Sequence, residues 1–332
     1  MVICPLFNRF HRHTQLQFRS RSTFSTWTAT ATTATTITTT TMAQQKNKPN
    51  GQPRQPLKIL MLHGYTQSGS LFRAKSGALT KALQKAFPLH EFTFSYPTGP
   101  IRLDPADIPG YTPPSEDQGQ DESKLEAYAW YRRAVPKHPD DPVEYIGLDA
   151  GLEAVATILR DEGPFDGVIG FSQGASMAAM VASLLEPGRR DVFSSFTAKE
   201  PLQIPFPASF EPDNIKNHPP LKFALCYSGF RAPGPRYRAF YENPKIQTPI
   251  LHVLGSMDAV VEEARSRALI EACAGDPEKD GNVVFHPGGH FLPSQRPYLD
   301  AAVRFVKKVL DNKQGQEQEK NEDRVEDMDV PF

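Results

Sequence analysis

The sequence is poor in cysteine, in net charge and in long apolar runs. Its 332 residues contain three cysteines, Cys4, Cys226 and Cys273, which are too few for a disulfide framework and favour a reducing compartment. The 37 basic residues balance 38 acidic ones, so nothing in the net charge favours binding to nucleic acid. No apolar run approaches the roughly 20 residues that span a bilayer, and we expect no membrane span.

Acidic residues are absent from the beginning of the chain, where the first one is Glu91. Residues 1–56 are rich in Thr, Ser, Arg and Gln, a composition that cannot bury a core. Arginines interleaved with phenylalanines and hydroxyl side chains are typical of a mitochondrial transit peptide. The alternative is an upstream extension without function, with translation starting at Met42. We expect this segment to be disordered. We expect the protein to be in the cytoplasm, or in both cytoplasm and nucleus, unless residues 1–41 direct it to mitochondria.

Residues 311–332 carry Gln, Glu, Lys and Asp with almost no apolar side chain before Val330. This composition predicts a disordered, charged tail. A single folded domain of residues 57–310 is therefore expected.

Within that domain, short apolar runs alternate with apolar residues at helical spacing. Strands are predicted at residues 58–62, 92–96, 167–170, 223–227, 249–254 and 282–285. Helices are predicted around residues 79–87, 148–159, 174–180, 262–273 and 297–310. About six strands alternating with helices predict an α/β fold, in which a mostly parallel sheet is covered by helices on both faces.

A serine lies on a glycine-flanked turn between a predicted strand and a predicted helix, in the sequence Gly170-Phe171-Ser172-Gln173-Gly174. This GxSxG pattern is weak by itself, but the strand before it and the helix after it are the context that a nucleophile elbow needs. The alternative is a plain glycine turn. We predict Ser172 to be a catalytic nucleophile.

A serine hydroxyl needs a base and an orienting carboxylate, which follow it in the order Asp, His in this type of fold. Asp258 lies on a loop after the strand at 249–254, and His290 follows the strand at 282–285 on a glycine-rich loop. We predict these two residues to complete the triad. Alternatively, Asp258 only caps the helix that follows it.

Other histidines are weaker candidates for the base. His252 lies inside a predicted strand and His286 directly before a proline, and His63 is a further candidate. The four-residue spacing of His286 and His290 would suit a metal site on a helix. The intervening Pro287 and two glycines argue against a helix there, so we expect no metal and no organic cofactor.

The backbone N–H groups of Gln173 and Tyr65 are predicted to form the oxyanion hole. Tyr65 follows His63-Gly64 on the loop after the first strand; a simple strand-to-loop turn is the alternative. Apolar side chains beside these loops would suit an acyl chain, although core packing explains such residues equally well. The pocket residues predicted are Phe171, Phe230, Phe291, Leu292 and Trp130, with Tyr131 beside Trp130.

The segments LHGYTQSG, GPFDGVIGFSQGA, LKFALCYSGF, TPILHVLGSMDAVVEEARS and HPGGHFLPSQ together resemble the FSH family of serine hydrolases, found in fungi and other eukaryotes. The resemblance covers about residues 57–310. It implies an α/β-hydrolase fold with Ser172, Asp258 and His290 as nucleophile, acid and base. The chain departs from a minimal member in the N-terminal extension and in two insertions, at about 99–124 and 199–220. The two insertions would reshape the substrate entrance. The insertion at 99–124 is expected to be a lid or a solvated spacer.

The function expected is hydrolysis of carboxylic esters with medium or long acyl chains, through an acyl-enzyme. A thioesterase that releases an acyl or polyketide chain from a carrier protein is the alternative, since the triad does not distinguish the leaving group. A ligand-binding protein that kept this fold without catalysis is a third possibility. The partners expected are a small acyl ester or thioester, or an acyl carrier protein.

Overall fold

The computed structural model describes residues 53–110, 126–138 and 140–326, with side chains in the last range described through Asn312. The strands are β1 (Gln55–Leu62), β2 (His90–Ser95), β3 (Ile101–Arg102), β4 (Tyr128–Ala129), β5 (Arg132–Arg133), β6 (Tyr145–Ile146), β7 (Gly167–Phe171), β8 (Phe223–Tyr227), β9 (Ile250–Gly255) and β10 (Val283–His286). The α-helices are α1 (Gly69–Lys75), α2 (Gly77–Ala86), α3 (Leu148–Glu162), α4 (Gln173–Leu184), α5 (Arg189–Thr197), α6 (Glu263–Glu271) and α7 (Arg296–Glu326).

The central sheet contains six strands in the order β10-β9-β8-β7-β1-β2, and all its pairs are parallel. Strands β7 and β8 are buried at every residue, as their uninterrupted apolar sequences require of strands covered on both faces. Each of the six strands was predicted from the sequence. The mostly parallel six-stranded sheet is thus confirmed.

Apolar clusters fill both sides of this sheet. On one side, residues of α3, α4 and α6 pack in a cluster that includes Leu152, Met177 and Leu269. On the other side, residues of α2 and α7 pack in a cluster that includes Leu83 and Val306. The prediction of helices on both faces is therefore confirmed. Parallel strands then end at a common edge, where the loops after β1, β7, β9 and β10 can meet.

Several elements differ from the sequence prediction. Helices α1 and α5 were not predicted, and neither were the two short antiparallel pairs β3-β4 and β5-β6. Strand β1 begins at Gln55 instead of residue 57 or 58. Helix α7 continues to Glu326 instead of ending at Leu310, because the Gln, Glu and Lys residues of the predicted tail are strong helix formers. Residues 1–52 of the predicted segment 1–56 and residues 327–332 of the predicted tail 311–332 lie outside the described residues.

The insertion at 199–220 packs against α3 through 3₁₀ turns at Ala208–Phe210 and Pro212–Ile215. Phe210 and Ile215 are buried in the same cluster as the inner face of α3. This segment therefore extends the core instead of shaping a substrate entrance. Among the described residues, no helix is long and apolar enough to cross a membrane.

Candidate active site

Ser172 joins the end of β7 to the start of α4 in a strained backbone conformation, with φ 53° and ψ −117°. A non-glycine residue rarely adopts a positive φ, and such strain is concentrated at functional sites. Its N–H donates to the carbonyl of Tyr227 at the end of β8. The turn presents the hydroxyl at the carboxyl edge of the sheet and places the N-terminus of α4 directly behind it.

The three predicted triad side chains lie in one hydrogen-bonded chain. His290 Nε2 is 2.9 Å from Ser172 Oγ, and His290 Nδ1 is 2.8 Å from Asp258 Oδ2. Both Asp258 and His290 are largely buried, with side chains 6% and 17% exposed. Because both nitrogens of His290 are engaged, this ring is not available as the second ligand of a metal shared with His286.

Asp258 is held by the chain on its own loop. Its Oδ1 accepts hydrogen bonds of 2.9 Å from the N–H groups of Val260 and Val261. Burial raises the pKa of this carboxyl, but hydrogen bonds from Val261, His290, Ser228 and Val260 outweigh burial and leave the pKa below its usual value. The carboxylate is therefore ionised at neutral pH. Asp258 therefore orients His290 and turns the backbone of its own loop. It does not cap the following helix α6, whose N-cap residue is Glu262.

Two backbone hydrogen bonds join the Asp258 loop to the His290 loop. Ser256 N–H donates to His286 O at 2.8 Å, and Met257 N–H donates to Gly288 O at 3.0 Å. They continue the pairing of β9 with β10. The positions of acid and base are thus set by the register of neighbouring strands.

The loop after β1 is anchored by His63, whose side chain is fully buried. Burial lowers the pKa of His63 to about 4, although a hydrogen bond with Gly64 raises it, so the ring is neutral at pH 7. Its Nε2 accepts from Gly99 N–H at 2.8 Å. The proton therefore lies on Nδ1, which donates to the carbonyl of Gly64 at 2.8 Å.

This hydrogen bond determines the direction of the next N–H group. In a trans peptide the Gly64 carbonyl and the Tyr65 N–H point in opposite directions. Because His63 and the N–H of Gln67 both donate to that carbonyl, the Tyr65 N–H points away from them. Within the described part of the chain, neither this N–H nor that of Gln173 has an acceptor.

The side chain of Gln173 ties the nucleophile turn to the segment around β4 and β5. Its Oε1 accepts from Trp130 N–H at 2.8 Å, and its Nε2 donates to Tyr131 O at 2.7 Å. Trp130 Nε1 in turn donates to the carbonyl of His63 at 2.9 Å. One network thus connects the two backbone N–H groups predicted to face the substrate.

Ser172 and His290 open into a cavity of about 480 Å³. Four of the residues named from the sequence line it: Tyr65, Phe171, Phe291 and Leu292. Trp130 and Phe230 do not, and the prediction that they line the pocket is wrong. Trp130 has no exposed surface, and Phe230 packs in the same cluster with Arg265 over its ring. Trp130 and Phe230 were predicted because they are close in sequence to catalytic loops. That proximity does not determine on which face of the sheet a side chain lies.

The sequence analysis missed several lining residues. Phe72 and Lys75 come from the unpredicted helix α1, Val260 from the Asp258 loop, and Ile108 and Pro109 from the insertion at 99–124. The described part of that insertion therefore contributes to the cavity and is more than a spacer. Its remainder from 111 lies outside the described residues. An apolar Ile-Pro pair within a polar, proline-rich stretch was the available signal.

The other histidines considered from the sequence are structural. His252 is buried inside β9 beside Cys273, with Nε2 3.5 Å from Sγ, and burial lowers its pKa to about 3. His286 is buried beneath Phe291 and Tyr298.

The chain is similar to several known proteins. The model of a family described as "Serine hydrolase (FSH1)" matches residues 53–302. The chain is 34% identical over 260 residues to a Schizosaccharomyces pombe protein named "Dihydrofolate reductase", covering 76% of this chain but only 47% of that protein. It is 32% identical over 257 residues to "Esterase OVCA2" of Danio rerio, covering 76% and 97%. The solved structure of Zea mays acyl-protein thioesterase 2 superposes with a TM-score of 0.46 and 20% identity over 80% of this chain and 97% of that one.

Proposed function

Because this chain belongs to the FSH1 family of serine hydrolases, we propose that it hydrolyses carboxylic esters of medium or long acyl chains through an acyl-enzyme intermediate. The observation that carries this proposal is the continuous Ser172-His290-Asp258 hydrogen-bond chain beside a largely apolar cavity. An α/β-hydrolase that only bound its ligand would have no need of this assembled chain.

In the proposed reaction, Ser172 Oγ attacks the acyl carbonyl while His290 Nε2 takes its proton. Asp258 holds Nδ1–H of His290 and stabilises the imidazolium that forms. His290 then gives the proton to the departing alcohol, which leaves an acyl-enzyme. Water, deprotonated by the same imidazole, attacks the acyl carbon and releases the acid and free Ser172. No step requires a metal or an organic cofactor.

The negative charge on the carbonyl oxygen would be stabilised by the N–H groups of Gln173 and Tyr65. Gln173 N–H is the first of helix α4, where the unpaired N–H groups and the helix dipole favour an anion. Tyr65 N–H is directed away from the His63 imidazole by the hydrogen bond to Gly64. Two donors from different loops would leave the oxyanion little freedom to move.

The acyl chain would lie against Phe72, Phe171, Ile108, Phe291 and Leu292, which line the cavity. A cavity of about 480 Å³ falls within the usual range for small-molecule sites. This volume and lining suit a medium acyl chain in full or part of a longer one.

A thioesterase is the second candidate. The triad does not distinguish an alcohol from a thiol leaving group, so an acyl or polyketide chain on a small thiol or a carrier protein would undergo the same two steps. The partner would then be an acyl carrier protein instead of a free ester.

A panel of substrates tests both candidates. We expect the wild-type protein to hydrolyse 4-nitrophenyl esters with rising kcat/KM from two to about eight carbons, because each buried methylene adds about 0.8 kcal/mol. Ser172→Ala should lower kcat by about 10⁶-fold. Ser195→Ala, an exposed serine on α5, should leave it unchanged. Rates with matched thioesters of N-acetylcysteamine show which of the two candidate functions the protein favours. Activity retained in Ser172→Ala would mean that Ser172 is not the nucleophile.

The compartment proposed is the cytoplasm. Supporting it, Cys226 and Cys273 are both buried and both free, as is usual for proteins of reducing compartments. Subcellular fractionation together with mass spectrometry of the native amino terminus tests this. Recovery in the cytosolic fraction is expected, whereas a mitochondrial protein that lacks residues 1–41 contradicts the proposal.

A further inference from the structure

One lining residue of the catalytic cavity has a basic side chain. Lys75 lines it together with apolar and uncharged side chains, and no carboxylate is found among the described lining residues. A cation beside an otherwise uncharged cavity favours a ligand with a complementary anionic group, since a few placed polar groups determine orientation in such sites.

Lys75 shares one face of α1 with Phe72, which precedes it by one helical turn. Phe72 is buried and packs against the core, whereas Lys75 is exposed. Within the described residues, Lys75 has no ion pair and no hydrogen bond. It is therefore available to a ligand in the cavity.

The acidic side chain that comes next in sequence to two other lining residues, Ile108 and Pro109, already has a partner. Asp107 precedes Ile108 and Pro109, and its Oδ2 accepts a hydrogen bond of 2.9 Å from Arg132. This pairing accounts for both charges. Lys75 is thus a cation among the described lining residues for which the described chain supplies no anion.

We propose that Lys75 binds an anionic group of the substrate, a carboxylate or a phosphate, and so selects anionic substrates over neutral ones. This assignment rests on the proposed ester hydrolysis at Ser172. The anion has two chemical sources. It is either the far carboxylate of an acyl chain, as in a half-ester of a dicarboxylic acid, or a phosphate of the leaving group, as in a phosphopantetheine thioester.

A plain surface role for Lys75 gives a different expectation. Lysine in the last turn of a helix is favoured by the helix dipole whatever lies nearby. Lys85 provides the matched control, because it lies in the last turn of α2 and does not line the cavity. Lys85→Gln and Lys75→Gln remove the same charge from equivalent helical positions.

The test compares charged and neutral substrates of equal chain length. For the acyl side, these are 4-nitrophenyl hydrogen suberate and 4-nitrophenyl octanoate; for the leaving group, octanoyl-coenzyme A and octanoyl-N-acetylcysteamine. Lys75→Gln should lower the charged-to-neutral ratio of kcat/KM about five-fold in one pair, as expected of an exposed ion pair. Lys75→Glu should lower it further, and Lys85→Gln should leave both ratios at the wild-type value.

The pair that responds identifies the source of the anion. Added salt should lower the wild-type ratio in that pair and have less effect in Lys75→Gln, because exposed charges are screened. If neither ratio changes in Lys75→Gln and Lys75→Glu, the proposal is wrong. That outcome leaves ester hydrolysis intact, whereas absence of wild-type turnover of every ester and thioester would contradict the proposed function itself.

Discussion

Ser172 depends on groups contributed by four loops, each of which follows a strand of the same sheet. Asp258 orients His290, and His290 contacts the Ser172 hydroxyl. His63, which does not belong to the triad, orients the Gly64-Tyr65 peptide. Substitutions at these positions therefore separate residues that react from residues that position others.

Asp258→Asn tests the orienting carboxylate. The Asn amide oxygen can still accept from Val260 and Val261, as Asp258 Oδ1 does. Its NH₂ group, however, would face Nδ1 of His290 and favour the wrong tautomer. We expect kcat to fall by about 10³ to 10⁴-fold, with little change in Tm. Ester kinetics and thermal unfolding measured on the same preparation check this; a comparable loss in both would indicate a structural role.

His63 is predicted to act as a positioning residue. His63→Ala removes one of the two donors to the Gly64 carbonyl and the acceptor for Gly99, so the direction of the Tyr65 N–H is less well fixed. We expect kcat to fall by about 10²-fold with KM nearly unchanged, as for loss of one oxyanion donor. His63→Asn, whose amide N–H can replace Nδ1–H, should recover part of kcat.

A loss in His63→Ala that is confined to KM, or that His63→Asn does not relieve, would contradict this role.

The triad was predictable because its three residue types follow strands in the order that the chemistry requires. The roles of His63 and Lys75 were not, since they depend on a hydrogen bond across 36 residues and on an unpredicted helix.

At the scale of elements, the nucleophile turn requires α4 to pass close to β1. A Cβ on Gly174 would lie 2.1 Å from Leu62 O and 2.4 Å from His63 O. Because both atoms belong to the backbone, neither can move without displacing β1. The second glycine of GxSxG therefore permits the contact between the nucleophile helix and the oxyanion loop.

Gly174→Ala should destabilise the fold by about 3 kcal/mol, at the upper end for overpacking, and should also lower kcat. The control is Gly77→Ala at the start of α2, where an added Cβ meets nothing within 4 Å. That variant should match the wild type or gain up to about 1 kcal/mol. Urea unfolding of both variants measures the difference, and equal stabilities would disprove the steric argument.

The long buried strands and the helices beside them were predictable, because continuous apolar runs and helical spacing are strong local signals. Strand β8 was predicted with the bounds that the structure shows. Helix α1 has seven residues, too few for a periodic pattern. The pairs β3-β4 and β5-β6 have two residues per strand, and their position depends on tertiary contacts with the nucleophile turn.

At the scale of the whole molecule, neutral buried histidines make stability depend on pH. Burial lowers the pKa of His63 to about 4 and that of His252 to about 3. In the unfolded chain these rings bind protons near pH 6.5, so the unfolded state gains protons first as the pH falls. The two rings therefore do not lower the free energy of unfolding above pH 6.5, and they lower it increasingly as the pH decreases towards 4.

The free energy of unfolding should therefore decrease between pH 6.5 and 4, by about 1.4 kcal/mol per pH unit for each of these rings. His252→Leu, which replaces one ring inside β9, should reduce the slope by that amount. Urea titrations at several pH values measure it. A wild-type slope that His252→Leu leaves unchanged would mean that this ring is already protonated in the folded protein or that other groups control the slope.

The most direct test of the central claim, that Ser172 is activated by His290 and Asp258, is covalent labelling by a fluorophosphonate followed by peptide mass spectrometry. We predict one label per chain, located on Ser172, and labelling of His290→Ala slower by at least about 10³-fold. A label on another residue, or wild-type labelling rates in His290→Ala, would contradict the account.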